Sequence, residues 1–150
     1  MKRVFTFIAA ALVSAALFAQ ENPLWLRKSA ISPDGTTIAF SYQGDIFTVS
    51  SAGGEAKQIT ANAAYDSDPL WTPDGKQIVF SSVRELSKDI WIVPAAGGQA
   101  KRLTTYPGAE TPLAVSDDGL VYFYADIQPE PAFDDFPGNP QVYTLSLKTG

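Results

Sequence analysis

The chain contains neither cysteine nor histidine. Without cysteine it can build no disulfide framework and no thiolate metal site. Without histidine it lacks the commonest general base and the commonest metal ligand. A Ser-His-Asp triad, or a zinc site of the usual type, cannot be assembled from these residues alone. Charge is also sparse: Asp, Glu, Lys and Arg make up 18% of the 150 residues, with a formal net charge of −5. That balance argues against nucleic-acid binding, which wants a basic face. The sequence therefore points to no catalytic residue, no cofactor and no metal. What it has in ordinary amount is apolar residues, 45%, enough for the core of one domain or part of a larger one.

The amino terminus reads as an address label. Lys2 and Arg3 give a positive start, and Val4 to Phe18 form an apolar run broken only by Thr6 and Ser14. Ala19 is a small residue at the natural cut, ahead of Gln20, Glu21, Asn22 and Pro23, although Leu17 stands where Ala is more usual. Charged, then apolar, then small is the layout of a secretory signal peptide. The run is shorter than the roughly 20 residues a membrane span needs, and no stop-transfer flank follows. Residues 1–19 are expected to be removed, leaving a periplasmic or secreted protein with no membrane association. Loss of Lys2 and Arg3 takes the net charge from −5 to about −7.

Self-similarity is the informative feature of residues 20–150. Ile31-Ser32-Pro33-Asp34-Gly35 recurs as Trp71-Thr72-Pro73-Asp74-Gly75 and, weakened, as Val115-Ser116-Asp117-Asp118-Gly119. Each copy is followed by an apolar run, at Ile38-Ala39-Phe40, Ile78-Val79-Phe80 and Leu120-Val121-Tyr122-Phe123. A second run follows a polar gap: Asp45 to Val49, Asp89 to Val93 and Gln141 to Leu145. Ala52-Gly53-Gly54 and Ala96-Gly97-Gly98 come next, and the first two copies close on Ala56-Lys57-Gln58-Ile59-Thr60 and Ala100-Lys101-Arg102-Leu103-Thr104. The period is 40 to 44 residues. Periods of this size indicate a β-propeller with four strands per blade.

The pieces of the repeat have physical reasons. Asp34-Gly35, Asp74-Gly75 and Asp118-Gly119 supply hairpins, because Gly reaches positive φ freely and Asp can bond its own backbone. Pro33 and Pro73 preset φ ahead of the turn. Ile90-Trp91-Ile92-Val93 is apolar on both faces, as for a strand packed between two neighbouring blades; a strand with one wet face would alternate. Lys57, Lys101 and Arg102 mark the last strand of a blade as an outer edge, where cations discourage further pairing. The second blade is expected to hold strands near Ser67–Thr72, Lys76–Ser82, Asp89–Pro94 and Gln99–Thr104. The fold expected is all-β: a partial propeller of about three four-stranded antiparallel blades, near residues 24–60, 65–104 and 110–150.

The third copy departs from the pattern. Its turn lacks Pro and is one residue tighter, and its middle strands are split by an insertion, residues 124–140, rich in Pro and acids. A closed propeller needs four to eight blades, so the third blade is expected to be incomplete and the chain to be part of a longer protein. The first strand is expected near Leu24-Trp25-Leu26, leaving no spare strand before it, so the ring is expected to close without an amino-terminal strand swap.

Residues 24–150 resemble the amino-terminal propeller of tricorn-type serine proteases, whose blades are of the TolB-like kind. The likeness rests on Leu24-Trp25-Leu26-Arg27 leading into Ala30 to Gly35, on Ile38 to Ile46, on Ala52-Gly53-Gly54-Glu55 and on Lys101-Arg102-Leu103-Thr104. The resemblance implies an exported serine peptidase. In that family a six-bladed propeller is followed by a seven-bladed one, a PDZ module and the catalytic domains, and the propellers filter and channel peptides. The catalytic Ser and its supporting His lie downstream of residue 150, and no position here matches them. The partners implied are the remaining propeller and catalytic domains of the parent and peptide substrates, with a homo-oligomer left open. Two further functions compete: a TolB-like envelope binding module without activity, and a propeller fused to a prolyl oligopeptidase-type or amidohydrolase-type domain.

Segments leading into the innermost strands carry Arg27 and Lys28, Asp66 and Asp68, and Glu110. Charges of both signs at a channel mouth can steer peptides; the plainer expectation is that these are solvated loop residues. The insertion carries Asp126, Glu130, Asp134 and Asp135 with Phe133 and Phe136, but lacks the alternate-position spacing of a calcium loop. It fits a mobile cover or a packing contact better than a metal site. Ser32, Ser81, Ser82 and Ser116 have no histidine and no Gly-x-Ser-x-Gly elbow to make them nucleophiles. Phe47, Trp71, Trp91 and Tyr143 recur at blade positions and are expected in the core.

Overall fold

A computed structural model describes residues 26–125 and 141–148. Residues 1–25, where the signal peptide is expected, residues 126–140 and residues 149–150 lie outside the described residues; of the insertion expected at 124–140, Tyr124 and Ala125 belong to a strand. Those described form strands and turns with no helix.

The strands fall into successive antiparallel sheets. The first is β1 (Arg27–Ile31), β2 (Thr37–Tyr42), β3 (Asp45–Ser50) and β4 (Lys57–Gln58), in that spatial order. The second repeats it with β5 (Asp66–Trp71), β6 (Gln77–Ser82), β7 (Asp89–Pro94) and β8 (Lys101–Arg102). The third holds β9 (Glu110–Val115), β10 (Leu120–Ala125) and β11 (Gln141–Ser146).

Packing follows from the two-sided apolar runs. Ile78, Phe80, Trp91 and Val93 lie on one face of the second sheet and pack against Ala39, Ile46 and Ile59 of the first. Val79, Ile90 and Ile92 lie on the opposite face and pack against Val121, Phe123 and Ala125 of the third. Burying a side chain such as Phe80, fully enclosed here, stabilises by about 1.5–3 kcal/mol. The contrast with β10 is direct: Val121, Phe123 and Ala125 are buried while the intervening Tyr122 and Tyr124 are exposed. A sheet covered on one side alternates, and a sheet covered on both does not.

The sheets are arranged radially. β5 lies against both β1 and β9, so the first strand of each sheet is innermost, while β4 and β8 are short outer edges. Backbone bonds recur at the joints: Asp66 N–H donates to the Gly44 carbonyl and Glu110 N–H to the Lys88 carbonyl, each at 2.7 Å. Trp71 Nε1 donates to the Ala30 carbonyl at 3.0 Å and Lys57 Nζ to the Ala96 carbonyl at 2.6 Å. The chain is thus a run of propeller blades.

The Asp-Gly turns are four-residue turns. The N–H groups of Gly35, Gly75 and Gly119 donate to the carbonyls of Ser32, Thr72 and Ser116 at 2.8–2.9 Å, with Gly φ of 74°, 67° and 85°. Pro33 and Pro73 take the second position, where their fixed φ belongs. Asp34 and Asp74 accept from the backbone N–H of Thr36 and Lys76. Ser116 N–H pairs with the Leu120 carbonyl, whereas Ser32 N–H reaches Thr37, so the third turn is one residue shorter.

The first described strand is Arg27–Ile31, and the expected start at Leu24-Trp25 lies outside the described residues. One strand expectation needs correction. The outer strand of the second blade covers Lys101–Arg102 alone, not Gln99–Thr104. Gly97 and Gly98, both at positive φ, carry the chain around before it. Past Arg102 the chain turns inward: Leu103 N–H donates to the Ile90 carbonyl and Thr104 Oγ1 accepts from Ile90 N–H. Thr60 does the same for Ile46 N–H in the first blade.

Candidate functional site

Aligning the blades on their turns sets Leu26, Asp66 and Glu110 at one position and Lys28, Asp68 and Pro112 at the next but one. These residues open the inner strands, at the end of the blades away from the Asp-Gly turns. Lys28 and Asp68 sit at irregularities in strand pairing, and both have left-handed backbones, with φ of 44° and 56°. Bulges of this kind re-aim a side chain out of the regular pleat. The two are drawn together across the blade joint: Lys28 Nζ stands 3.6 Å from Asp68 Oδ1. Lys88, on the β6–β7 connection, approaches Asp68 Oδ2 at 3.2 Å and donates to Thr111 Oγ1 of β9 at 2.9 Å. A small ionic mouth thus links the openings of all three inner strands.

The five charges read from sequence divide into two groups. Arg27 and Lys28 are exposed, and Asp68 is half-buried. Asp66 and Glu110 are enclosed, so neither is a solvated loop residue. Asp66 accepts from Ser82 Oγ at 2.5 Å and pairs with Arg84 Nη2 at 2.8 Å. Arg84 in turn lies over the rings of Trp91 and Phe80, 4.7 and 5.5 Å from their centroids. Glu110 accepts from Thr104 Oγ1. Asp89, also enclosed, holds Arg102 at 2.9 Å and accepts from Ser87 Oγ. Asp66 and Asp89 fasten strands and loops within the second blade, while Glu110 ties the third blade to the close of the second.

The electrostatics follow the contacts. Burial pushes the Asp68 carboxyl up, but the Ser67 hydroxyl and Lys88 outweigh it and hold the group below the usual carboxylate range. Burial wins at Glu110, assisted by Asp89, and lifts its carboxyl above the usual range despite the Thr104 bond. Asp34, Asp74 and Asp118 are held low, first by the hydroxyls of Ser32, Thr72 and Ser116.

Arg84, Lys88, Thr104 and Thr111 were not singled out from sequence. The recurrence of Thr60 and Thr104 at the close of two copies was the available signal for one of them. The four serines are all hydrogen-bonded: Ser32 and Ser116 to their turn aspartates, Ser81 to the Glu110 carbonyl and Ser82 to Asp66. Trp91 is buried, while Phe47, Trp71 and Tyr143 are half-buried beside the core. Among the described residues no cluster of acids could hold a metal ion.

A cleft of about 670 Å³ opens at the opposite end, between the first two blades, lined by Ser32, Asp34, Trp71 and Asp74 among others. A smaller one of about 220 Å³ repeats it between the second and third, beside Asp74 and Asp118. Asp34, Asp74 and Asp118 are committed to their own turns, whereas the inner-strand mouth draws charged groups of neighbouring blades together, so the mouth is the better candidate.

The family model described as the tricorn protease N-terminal beta propeller domain matches residues 23–150. The chain belongs to this family. Among curated proteins, this tricorn-type propeller is similar to the uncharacterized peptidase YuxL of Bacillus subtilis (strain 168), 40% identical over 63 residues, covering 39% of the chain and 9% of that protein. Among solved structures, it is similar to a candidate TolB from Agrobacterium tumefaciens, with TM-score 0.72 and 23% identity, covering 86% of the chain and 48% of that one. It is also similar to the tricorn protease, with TM-score 0.56 and 16% identity, covering 77% of the chain and 12% of that one. At these identities the structural likenesses establish the propeller fold. The chain spans less than half the length of each of these relatives.

Proposed function

We propose that this propeller is a non-catalytic, peptide-binding segment of an exported tricorn-like serine peptidase, gating peptides on their way to a catalytic domain elsewhere. The family match along residues 23–150 carries this reading. It is supported by the polar mouth at the inner strands, by the absence of histidine, and by the commitment of Ser32, Ser81, Ser82 and Ser116 to structural bonds. Export is supported by the charged, apolar and small order of residues 1–19. The purified protein is expected to bind unstructured peptides and to hydrolyse none. Turnover of a quenched fluorescent peptide that survives removal of contaminating proteases would contradict this.

A TolB-like binding module is favoured by one observation, the higher TM-score with the candidate TolB, 0.72 against 0.56. The coding sequence downstream of residue 150 separates the readings. A PDZ-like segment with a late Ser/His set supports the tricorn-like peptidase. A Gly-x-Ser-x-Gly elbow points to a prolyl oligopeptidase-type hydrolase, a His-x-His pair to an amidohydrolase, and an early stop to the binding module.

A further inference from the structure

We propose that the inner-strand mouth selects acidic side chains of extended peptides, with Lys28 and Lys88 as its cationic contacts and Thr111 as a hydroxyl donor. The inference rests on the peptide-binding reading and specifies its substrate class.

The local charge is the first support. The chain carries a net −5, yet two ammonium groups meet a single carboxylate at the mouth, Asp68. The other acids nearby are engaged elsewhere: Asp66 by Ser82 and Arg84, Glu110 by Thr104, and Asp89 by Arg102 and Ser87. A positive spot in an acidic molecule concentrates anionic ligands.

The second support is how loosely Lys28 is held. Its side chain is 71% exposed and meets Asp68 at 3.6 Å. Such an exposed pair adds little cohesion, so Lys28 can turn to an entering carboxylate without weakening the joint. Lys88 is firmer, bridging Asp68 and Thr111 with 30% of its side chain exposed. An incoming carboxylate would take the outer side of both ammonium groups while Asp68 keeps the inner side. Leu26 and Tyr65, exposed just ahead of β1 and β5, offer apolar contact to residues flanking the acid. Extended peptides alternating acidic and apolar residues fit this rim.

The test uses two short fluorescent peptides blocked at both termini, one alternating glutamate with apolar residues and one with glutamine in place of every glutamate. Fluorescence anisotropy at low salt is expected to show the glutamate peptide bound about tenfold more tightly, the worth of roughly one Coulombic contact per lysine near the surface. Lys28→Gln and Lys88→Gln should each narrow the preference, Lys28→Glu should abolish it, and Lys101→Gln on the outer edge should leave it unchanged. Added salt should erode it. Equal binding of both peptides overturns the selectivity while leaving peptide binding intact. A glutamate preference indifferent to both lysine substitutions places the acid site elsewhere and overturns the proposal. Failure of both peptides to bind overturns the peptide-binding reading as well.

Discussion

Asp34, Asp74 and Asp118 each accept a hydrogen bond from a hydroxyl two residues earlier, and the same hydroxyls accept the N–H groups of Thr37, Gln77 and Leu120. The Asp-Gly pair was legible in the sequence as a turn. The anchoring role of Ser32, Thr72 and Ser116 was not, because hydroxyl and carboxylate only meet once the turn has closed. Thr72 is buried, so Thr72→Val should destabilise by about 1 kcal/mol, read from urea denaturation midpoints. The carboxylates held low stabilise the fold above the ordinary Asp value, near 3.9, and lose that contribution as pH falls through their lower folded values. Replacing all three by Asn should lower the midpoint at neutral pH, and the deficit should shrink under strong acid. Glu110 has the opposite sign. Its carboxyl is raised chiefly by burial, so the native state binds the proton more tightly than the unfolded chain, and stability falls as pH rises through the folded value. Glu110→Gln, which can still accept from Thr104, should raise the midpoint at neutral pH. The gain should fade as pH approaches the ordinary Glu value, about 4.3.

At the scale of strands, β7 carries the clearest message. Ile90 and Ile92 face the third blade while Trp91 and Val93 face the first, as the unbroken apolar run predicts. β8 is shorter than its local pattern predicts because the inward hydrogen bonds of Leu103 and Thr104 depend on β7. The site shows the same limit. Asp66, Asp68 and Glu110 stand out as charges before inner strands, but burial of Asp66 depends on Ser82 and Arg84, which come from the far end of β6 and the loop beyond it. Two-sided burial also has an energetic signature. Ile78→Val and Ile90→Val remove one methyl from opposite faces of one sheet and should each cost about 0.5–1.5 kcal/mol. The two clusters are separated by the sheet, so the double variant should cost the sum within about 0.5 kcal/mol; strong coupling would mean that both residues share one core.

For the molecule as a whole, the proposed peptide binding depends on blades that meet at their inner strands and diverge outward. That divergence gathers Lys28, Asp68, Lys88 and Thr111 into one mouth while leaving Lys57 and Lys101 on separate outer edges. Among the described residues, the buried acids around that mouth, Asp66, Asp89 and Glu110, are taken up by Ser82, Arg84, Ser87, Arg102 and Thr104. The absence of cysteine makes the geometry directly measurable with introduced spin labels. Distances by pulsed electron resonance should be compared for the inner pair Lys28→Cys/Asp68→Cys and the outer pair Lys57→Cys/Lys101→Cys. A radial arrangement predicts a clearly shorter inner distance than outer distance. Equal separations, as two sheets stacked in parallel layers would give, would contradict the shared axis and the mouth built upon it.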